Sequence, residues 1–369
     1  MATTLVIAGY YGFGNWGDEA ALAVLIRYLR EALPHARIVV LSHDPAQTAR
    51  LHGTEAISRW NLFEVHRALA RASGFLLGPG GLLQDVTSAR SLLYYVGLVR
   101  LAQHYHLPTY LIGQGIGPLR SQRSERWVAK ALQRARLVLV RDRASFEWAK
   151  AHDARVLLGE DLAMLSPLPN LTLTLSACGE GTGEVRGAGG ESQSLGLSLR
   201  PGLSPHTKEA LRRALRTLSA DFELVFLPFQ ANQDLTALKE LALPITVVEA
   251  RCPSDLLWAM QRVDIVLGMR LHSLVFASLC GVPFCALSYD PKIESFVHRI
   301  AEVGGPSLSW WRATEALDER ALTEQIYELH SQRAQLQERL HQARTALQAS
   351  AHESLSEAIR LIASDLGVR

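Results

Sequence analysis

"VDIVLGMRLHSLVFASLCGVPFCALSYD", residues 263–290, decides the fold. "VDIVLG" holds the apolar run Ile265–Leu267 and reads as a strand buried on both faces. "RLHSLVFASLC" follows as a small-residue apolar helix ending at Gly281, and "PFCALSYD" resumes a strand. Strand, helix and strand in so short a span make a parallel βαβ unit. A folding chain gains nothing from Arg270 and His272 at the turn between the greasy segments, so that turn is a place to look for chemistry.

Outward from it the alternation repeats. "TLVIAG" (4–9) leads to a helix over about 17–33 and then "RIVVLS" (37–42). A helix near 61–72, "GFLLGPGG" (74–81), a helix near 89–105, "TYLIGQGIG" (109–117), a helix near 123–135 and "LVLVRD" (137–142) follow. Residues 168–194, rich in Gly, Ser and Thr without helical periodicity, read as a linker or mobile loop. Strand patterns return in "LGLSLRP" (195–201), "FELVFLPF" (222–229), "ITVVEA" (245–250) and the opening stretch. From about 314 the chain is helical, charged on one face. The expectation is an α/β protein of two Rossmann-like domains facing a cleft. The first covers 1–167, the second 195–313 after the linker, and C-terminal helices cover 314–369.

Composition excludes several classes. A formal net charge of +2 is too small to imply nucleic acid. Cys178, Cys252, Cys280 and Cys285 show no CxxC pair and no zinc-like grouping, so reduced thiols in a cytoplasm are expected, with no metal site. "MATTLVIAGYYGFGN" lacks a basic n-region and is not expected to be a signal peptide. The apolar stretch around 274–287 is interrupted and shorter than the ~20 residues of a membrane span, so any membrane contact is expected to be peripheral.

Loops after parallel strands gather at one edge of a sheet, and the unusual residues stand there. In "GYYGFGNWGDEA" (9–20), Gly12, Gly14 and Gly17 permit a tight turn, and Asn15 and Asp18 stand near a helix start that favours an anion. Glycine spacing does not match a dinucleotide fingerprint. The loop reads either as an anion site or as a turn with Asp18 capping the helix. "GPGGLLQD" (78–85) brings Gly81, Gln84 and Asp85, and "GQGIGP" (113–118) brings Gln114. Three glycine-rich exits in one half read as the rim of a ligand site. In the second half, Arg200 and Arg270 end separate strands, and guanidinium forks hold carboxylates and phosphates. Ser273 and the helix N–H groups add donors beside Arg270, while "SYDPK" offers Asp290 and Lys292. His272 is the candidate general acid or base, because imidazole exchanges a proton near neutrality.

"GYYGFGNWGDEA", "GPGGLLQD", "GQGIGPL", "VRDRAS", "GEDLAML", "GLSLRP" and "GMRLHSLVFA" together resemble, in order and spacing, the polysaccharide pyruvyl transferases. The likeness is nearest to the bacterial branch that modifies the cell-wall polymer anchoring surface-layer proteins. The resemblance implies a two-domain fold like the GT-B glycosyltransferases and phosphoenolpyruvate as donor. It implies as acceptor a lipid-linked or polymeric sugar, typically N-acetylmannosamine, and no cofactor. The donor-binding arginines fall on Arg200 and Arg270, Leu271 and His272 complete that motif, and the acidic loop residue falls on Asp85, expected either to take a hydroxyl proton in catalysis or to hold the acceptor. Pro79 stands where a glycine is usual.

Two other classes share features with this chain. A nucleotide-sugar glycosyltransferase has the same architecture. A non-catalytic sugar-binding protein relies on stacked aromatics rather than two arginines and a histidine. Between Arg120 and Arg143, Lys and Arg outnumber Asp and Glu eight to two. That segment reads either as a solvated helix face or as a contact for anionic lipid or an acceptor's pyrophosphate.

Overall fold

The computed structural model describes residues 3–86, 88–170, 193–313 and 317–367. The expected linker at 168–194 lies almost wholly outside the described residues. Contacts divide the chain into one unit of Met1–Ser166 with Gln348–Arg369, and a second of Pro167–Leu347.

The first unit runs β1 (Thr4–Ala8), α1 (Trp16–Ala32), β2 (Arg37–Ser42), α2 (Pro45–His52), β3 (Glu55–Ser58), α3 (Leu62–Ala70), β4 (Gly74–Leu77), β5 (Gly80–Leu83) and α4 (Ala89–His104). It continues with β6 (Thr109–Ile116), α5 (Gln122–Gln133), β7 (Leu137–Val140), α6 (Arg143–Ala151), β8 (Val156–Leu158) and a 3₁₀ turn (Leu162–Leu165). The strands order β3-β2-β1-β4-β6-β7-β8, with β5 beside β6, in parallel ladders. The central strands are the aliphatic runs of the sequence, and they are buried along their length. One face of this sheet packs against Val65 and Leu69 of α3, Tyr95 and Val99 of α4, Val128 and Leu132 of α5 and Ala149 of α6.

The second unit runs β9 (Gln193–Ser198), α7 (Pro205–Leu218), β10 (Phe222–Phe226), α8 (Ala231–Leu241), β11 (Thr246–Val247), α9 (Pro253–Met260) and β12 (Ile265–Gly268). Then come α10 (Leu271–Cys280), β13 (Phe284–Ser288), α11 (Pro291–Glu302), β14 (Trp310–Arg312), α12 (Glu319–Ser331) and α13 (Arg333–Asp365). Its sheet orders β11-β10-β9-β12-β13-β14, again in parallel ladders. Helix α13 belongs to the second unit up to Leu347 and to the first from Gln348.

Both sheets start in the middle, wind to one edge and return past the start. The strand order therefore reverses between β1 and β4 and again between β9 and β12, where doubly wound sheets open their ligand crevices. The sequence pattern overlooks α2, β3, α6, β8 and β14. Helix α2 is short and polar, and what makes it a helix is Asp44, which accepts from the Gln47 N–H, with Pro45 at the first turn. The expected strand in "ITVVEA" shrinks to the exposed pair Thr246–Val247. Cys280 and Cys285 are free, as expected, whereas Cys252 is disulfide-bonded and departs from that expectation. Among the described residues no helix is long and apolar enough to cross a membrane.

Gly281 closes α10 in the left-handed region at φ 73, and a Cβ there would collide with the His341 ring of α13. Gly281→Ala should cost about 1–3 kcal/mol, read as a lower denaturation midpoint. Adding His341→Ala should recover only the steric share, leaving the backbone penalty.

Candidate functional site

In the first unit the strand exits do two jobs. Asn15, not Asp18, is the N-cap of α1: its Oδ1 accepts from the Asp18 N–H at 3.5 Å, and its Nδ2 donates to Asp18 Oδ2 at 2.6 Å. Asp18, three residues into the cap, closes a reciprocal arrangement like a capping box. Glu19 is also buried: its Oε1 accepts from the Gly12 N–H at 2.8 Å, and its Oε2 lies 2.7 Å from His52 Nε2. Gly9 and Gly78 stand where a Cβ would strike the Tyr11 ring, so these two glycines make room for a side chain of the protein itself.

The remaining exits converge on Arg141 at the end of β7. Its Nη1 donates to Asp161 Oδ2 at 2.8 Å, and both side chains are almost sealed from solvent. A Cβ at Gly81 or Gly115 would lie 3.5 or 3.3 Å from the guanidinium. Burial alone would lower the Arg141 pKa, but the charges of Asp161, Asp142 and Asp18 outweigh it and raise it. Gln114 is wholly buried; its Nε2 donates to the Gly78 carbonyl, while its Oε1 has no partner. Arg141 and Asp161 stand in the segments "VRDRAS" and "GEDLAML", where the sequence pattern assigns them no role. Their signal is an opposite pair at the ends of neighbouring strands.

Asp85 sits half-buried in the loop after β5, where its Oδ1 accepts from the Arg120 N–H at 2.7 Å. Burial alone would raise its pKa. Hydrogen bonds from the Ser124 hydroxyl and the N–H groups of Arg120 and Ser121 outweigh burial and hold the carboxyl below its ordinary value. A carboxylate so stabilised at the start of α5 is a better acceptor of hydrogen bonds than of protons. Gln84 beside it accepts from the Val86 N–H at 2.8 Å. Gly14 adopts φ 69 with open space where a side chain would stand.

In the second unit, β9 and β12 flank the switch point, and the Met269 N–H donates to the Ser198 carbonyl at 2.7 Å, binding their exits together. Arg270 is the N-cap of α10, so Leu271, His272 and Ser273 form its first turn. That end is the positive end of the helix, which favours an anion, and its Ser273 N–H donates to the Arg270 carbonyl at 3.0 Å. Ser273 is buried and its hydroxyl donates to the Arg270 carbonyl at 2.6 Å. His272, also buried, lies in the same turn as the arginine, so the helix start brings the two onto one strand exit.

The two arginines are held differently. Arg270 Nε and Nη2 donate to Asp234 Oδ1 at 3.1 and 2.5 Å, and Nη2 also donates to Gln233 Oε1 at 3.2 Å. Asp234 is fully buried on α8 and accepts from the Gln230 N–H at 2.9 Å. Burial pushes its carboxyl up, against the pull of Arg270, the Gln230 N–H and Arg200. Arg200 instead lies 4.0 Å from the centre of the Tyr289 ring, and its buried Nε has no partner. Ser198 Oγ, buried at the same strand end, is also unpartnered. Lys292 Nζ lies 5.9 Å from the Tyr289 ring and 3.1 Å from Asp290 Oδ2. Arg200, Arg270 and the first turn of α10 thus share one strand edge, with Lys292 joined to Arg200 through Tyr289. Asp234 and Tyr289 were missed as site residues. "FQANQD" after β10 carries the first as another polar strand exit, and "SYDPK" carries the second.

Two doubly wound parallel sheets, one with glycine-rich exits and one with arginine-bearing exits, define a GT-B-like α/β protein. Solved structures of that architecture match the chain. It is similar to MnaA from S. aureus in complex with UDP (TM-score 0.69, 13% identity, 100% of this chain and 98% of that one). It is similar to HepE from Anabaena in complex with UDP-glucose (TM-score 0.60, 14% identity, 98% and 99%). A third likeness is the UDP-GlcNAc 2-epimerase from Neisseria meningitidis bound to UDP-GlcNAc (TM-score 0.59, 11% identity, 98% and 100%). At such identities the likeness is one of fold. No curated protein matches the chain. Residues 15–291 match the polysaccharide pyruvyl transferases, and the chain belongs to that family.

The depressed carboxyl of Asp85 generates a pH prediction. Its stabilising contribution is present above the unfolded carboxylate value of ~3.9 and is lost as pH falls through the lower folded value. Asp85→Asn should therefore lower stability at pH 7 yet flatten its decline below about pH 4. Denaturant midpoints measured from pH 7 to pH 2.5 check this, and parallel curves for the two proteins would contradict it.

Proposed function

We propose that the protein moves the enolpyruvyl group of phosphoenolpyruvate onto a sugar of a cell-wall polysaccharide precursor, closing a pyruvate ketal and releasing phosphate. The observation that carries this reading is the pair of strand-exit arginines beside the N-terminus of α10 in a chain of this family. A donor bearing a carboxylate and a phosphate suits two guanidinium groups, and Arg200 still has a buried N–H to give. Protonation of the donor's methylene leaves a cation-like carbon. One sugar hydroxyl adds, phosphate departs, and a second hydroxyl closes the ring. Of the two hydroxyl protons, one replaces the proton consumed at the methylene and the other leaves with phosphate. His272 is the proton carrier in this reading, Arg270 and Arg200 clamp the donor, and Leu271, Ser273 and Lys292 line that site. Asp85, Gln84, Gly81, Gln114, Gly14, Asn15 and Asp18 serve the acceptor side. Asp85's depressed pKa supports binding of a hydroxyl over removal of its proton. No metal or organic cofactor enters the scheme.

The acceptor in this reading is N-acetylmannosamine of a lipid-linked or polymeric precursor for surface-layer anchoring, met in the cytoplasm at the inner face of the membrane. The nucleotide-sugar alternative rests on architecture alone. It would be favoured if UDP raised the melting temperature and phosphoenolpyruvate did not.

Phosphate release with an acceptor disaccharide-lipid, and the mass of the ketal product, test the reaction. Arg270→Lys keeps the charge but loses the fork, so KM for phosphoenolpyruvate should rise, each lost charged hydrogen bond costing ~1.5–3 kcal/mol. His272→Ala should leave that KM largely intact and lower kcat about 10²–10⁴-fold. Wild-type turnover in a folded His272→Ala protein would make the histidine structural.

The basic helix α5 bears on the membrane side of this reading. Arg123, Arg126 and Lys130 are exposed, Arg123 lying 4.5 Å from the Trp127 ring. Weak binding to anionic vesicles, falling with salt, should drop when all three become Glu. Unchanged partitioning in that variant would remove α5 from the reading.

A further inference from the structure

Beside the glycine-rich exits of the first unit, three large apolar side chains stand in solvent: Trp60 is 59% exposed, Leu62 71% and Phe63 74%. They occupy the turn into α3 and its first two positions, around the N-cap Asn61. The helix does not need them there. Its packing is carried by Val65 and Leu69, and its start is capped by Asn61, which accepts from the Glu64 N–H at 3.2 Å. Adjacent exposed residues of this size are a patch rather than scattered surface carbon, and such patches mark contacts with something apolar.

The patch is firmly mounted. Trp60 Nε1 donates to His43 Nδ1 at 3.2 Å, and the indole lies 5.0 Å from the buried Arg59 guanidinium and 5.9 Å from the Tyr94 ring. Tyr94 donates to the Arg59 carbonyl at 3.2 Å, and Tyr105 after α4 meets His66 of α3 at 2.7 Å. Helices α3 and α4 thus present one surface. Its exposed ionised side chains are Arg67, Arg71, Arg90 and Arg100 against Glu64. An exposed indole, two exposed apolar side chains next to it in sequence and four exposed arginines on and next to the same two helices are the composition of a protein face seated in a headgroup layer.

We infer that this face of α3 and α4 docks on an anionic lipid bilayer, with Trp60, Leu62 and Phe63 entering the interfacial layer and the arginines meeting the headgroups. A protein partner would leave four like charges to be matched one by one. A negatively charged bilayer matches them at once, and this selects the bilayer as occupant. The inference goes beyond the transfer reaction and does not depend on its donor.

Cosedimentation of the full chain with vesicles of phosphatidylcholine and phosphatidylglycerol tests it, with phosphate release on a water-soluble acceptor read from the same preparations. The wild-type protein should bind the mixed vesicles, and Leu62→Ser with Phe63→Ser should weaken partitioning at least about tenfold at high salt, where the apolar contribution dominates. Brominated lipid should quench the wild-type tryptophan emission more than that of Trp60→Phe. Phosphate release, which reports the transfer reading, should be unchanged in the double variant. Absence of wild-type binding, equal binding by the double variant, or a dimer in sedimentation that the double variant disperses would each overturn the inference. So would a fall in phosphate release, because the patch would then serve the reaction.

Discussion

A strand covered on both faces has no place for a charge along its length, and this constraint organises both units. The central strands are largely apolar, so ionised groups tied to them are displaced to strand ends, Asp264 to the entry of β12 and most others to the exits. In a parallel sheet the exits lie at one edge. Charges that elsewhere would be spread over a surface are therefore crowded together, and each must be matched or exposed. Arg141 is matched by Asp161, Glu19 stands beside His52, and Arg270 is matched by Asp234. Arg200 is the exception: it has an aromatic ring beneath it and a buried N–H with no partner.

In the proposed reading that difference divides the labour at the second switch point. Arg270 is held by a buried carboxylate, so its guanidinium needs little reordering when an anion arrives. Preorganised charge of this kind stabilises developing charge without a reorganisation cost at the moment of reaction. Asp234 also takes up part of Arg270's hydrogen-bonding capacity, leaving Nη1 outside the pair. Arg200, stacked on Tyr289, gives up none of its donors to the ring. One arginine is thereby oriented chiefly by hydrogen bonds and the other chiefly by stacking.

The fold was legible because apolar strands alternate with helices at a period the eye can follow. Elements that failed to show were short or polar, such as α2 and β14, and their stability lies in caps and ladder neighbours rather than periodicity. The arginine-bearing exits were legible for the reason given above: Arg270 between "VDIVLG" and an apolar helix has no local purpose. What stayed hidden was partnership across sequence. Asp234 lies 36 residues from Arg270, and no spacing rule joins them. The glycines misled in an instructive way. A glycine announces close approach without saying of what, and here Gly9 and Gly78 admit Tyr11 while Gly81 and Gly115 lie against Arg141.

The solved structures share 11–14% identity with the chain over nearly its whole length, so the backbone is common property and the side chains at the strand exits are not. A helix N-terminus at a switch point accepts an anion whatever its source, because its donors belong to the backbone. Discrimination between anions must come from what is added. Here the additions are two guanidinium groups, a histidine within the same helical turn and a buried carboxylate that aligns one of the arginines. In the proposed reading such a set matches a small, highly charged donor, since each of its oxygens asks for a fixed N–H donor. In that reading the helix start at the switch point receives the donor anion, and the side chains around it decide which anion it serves.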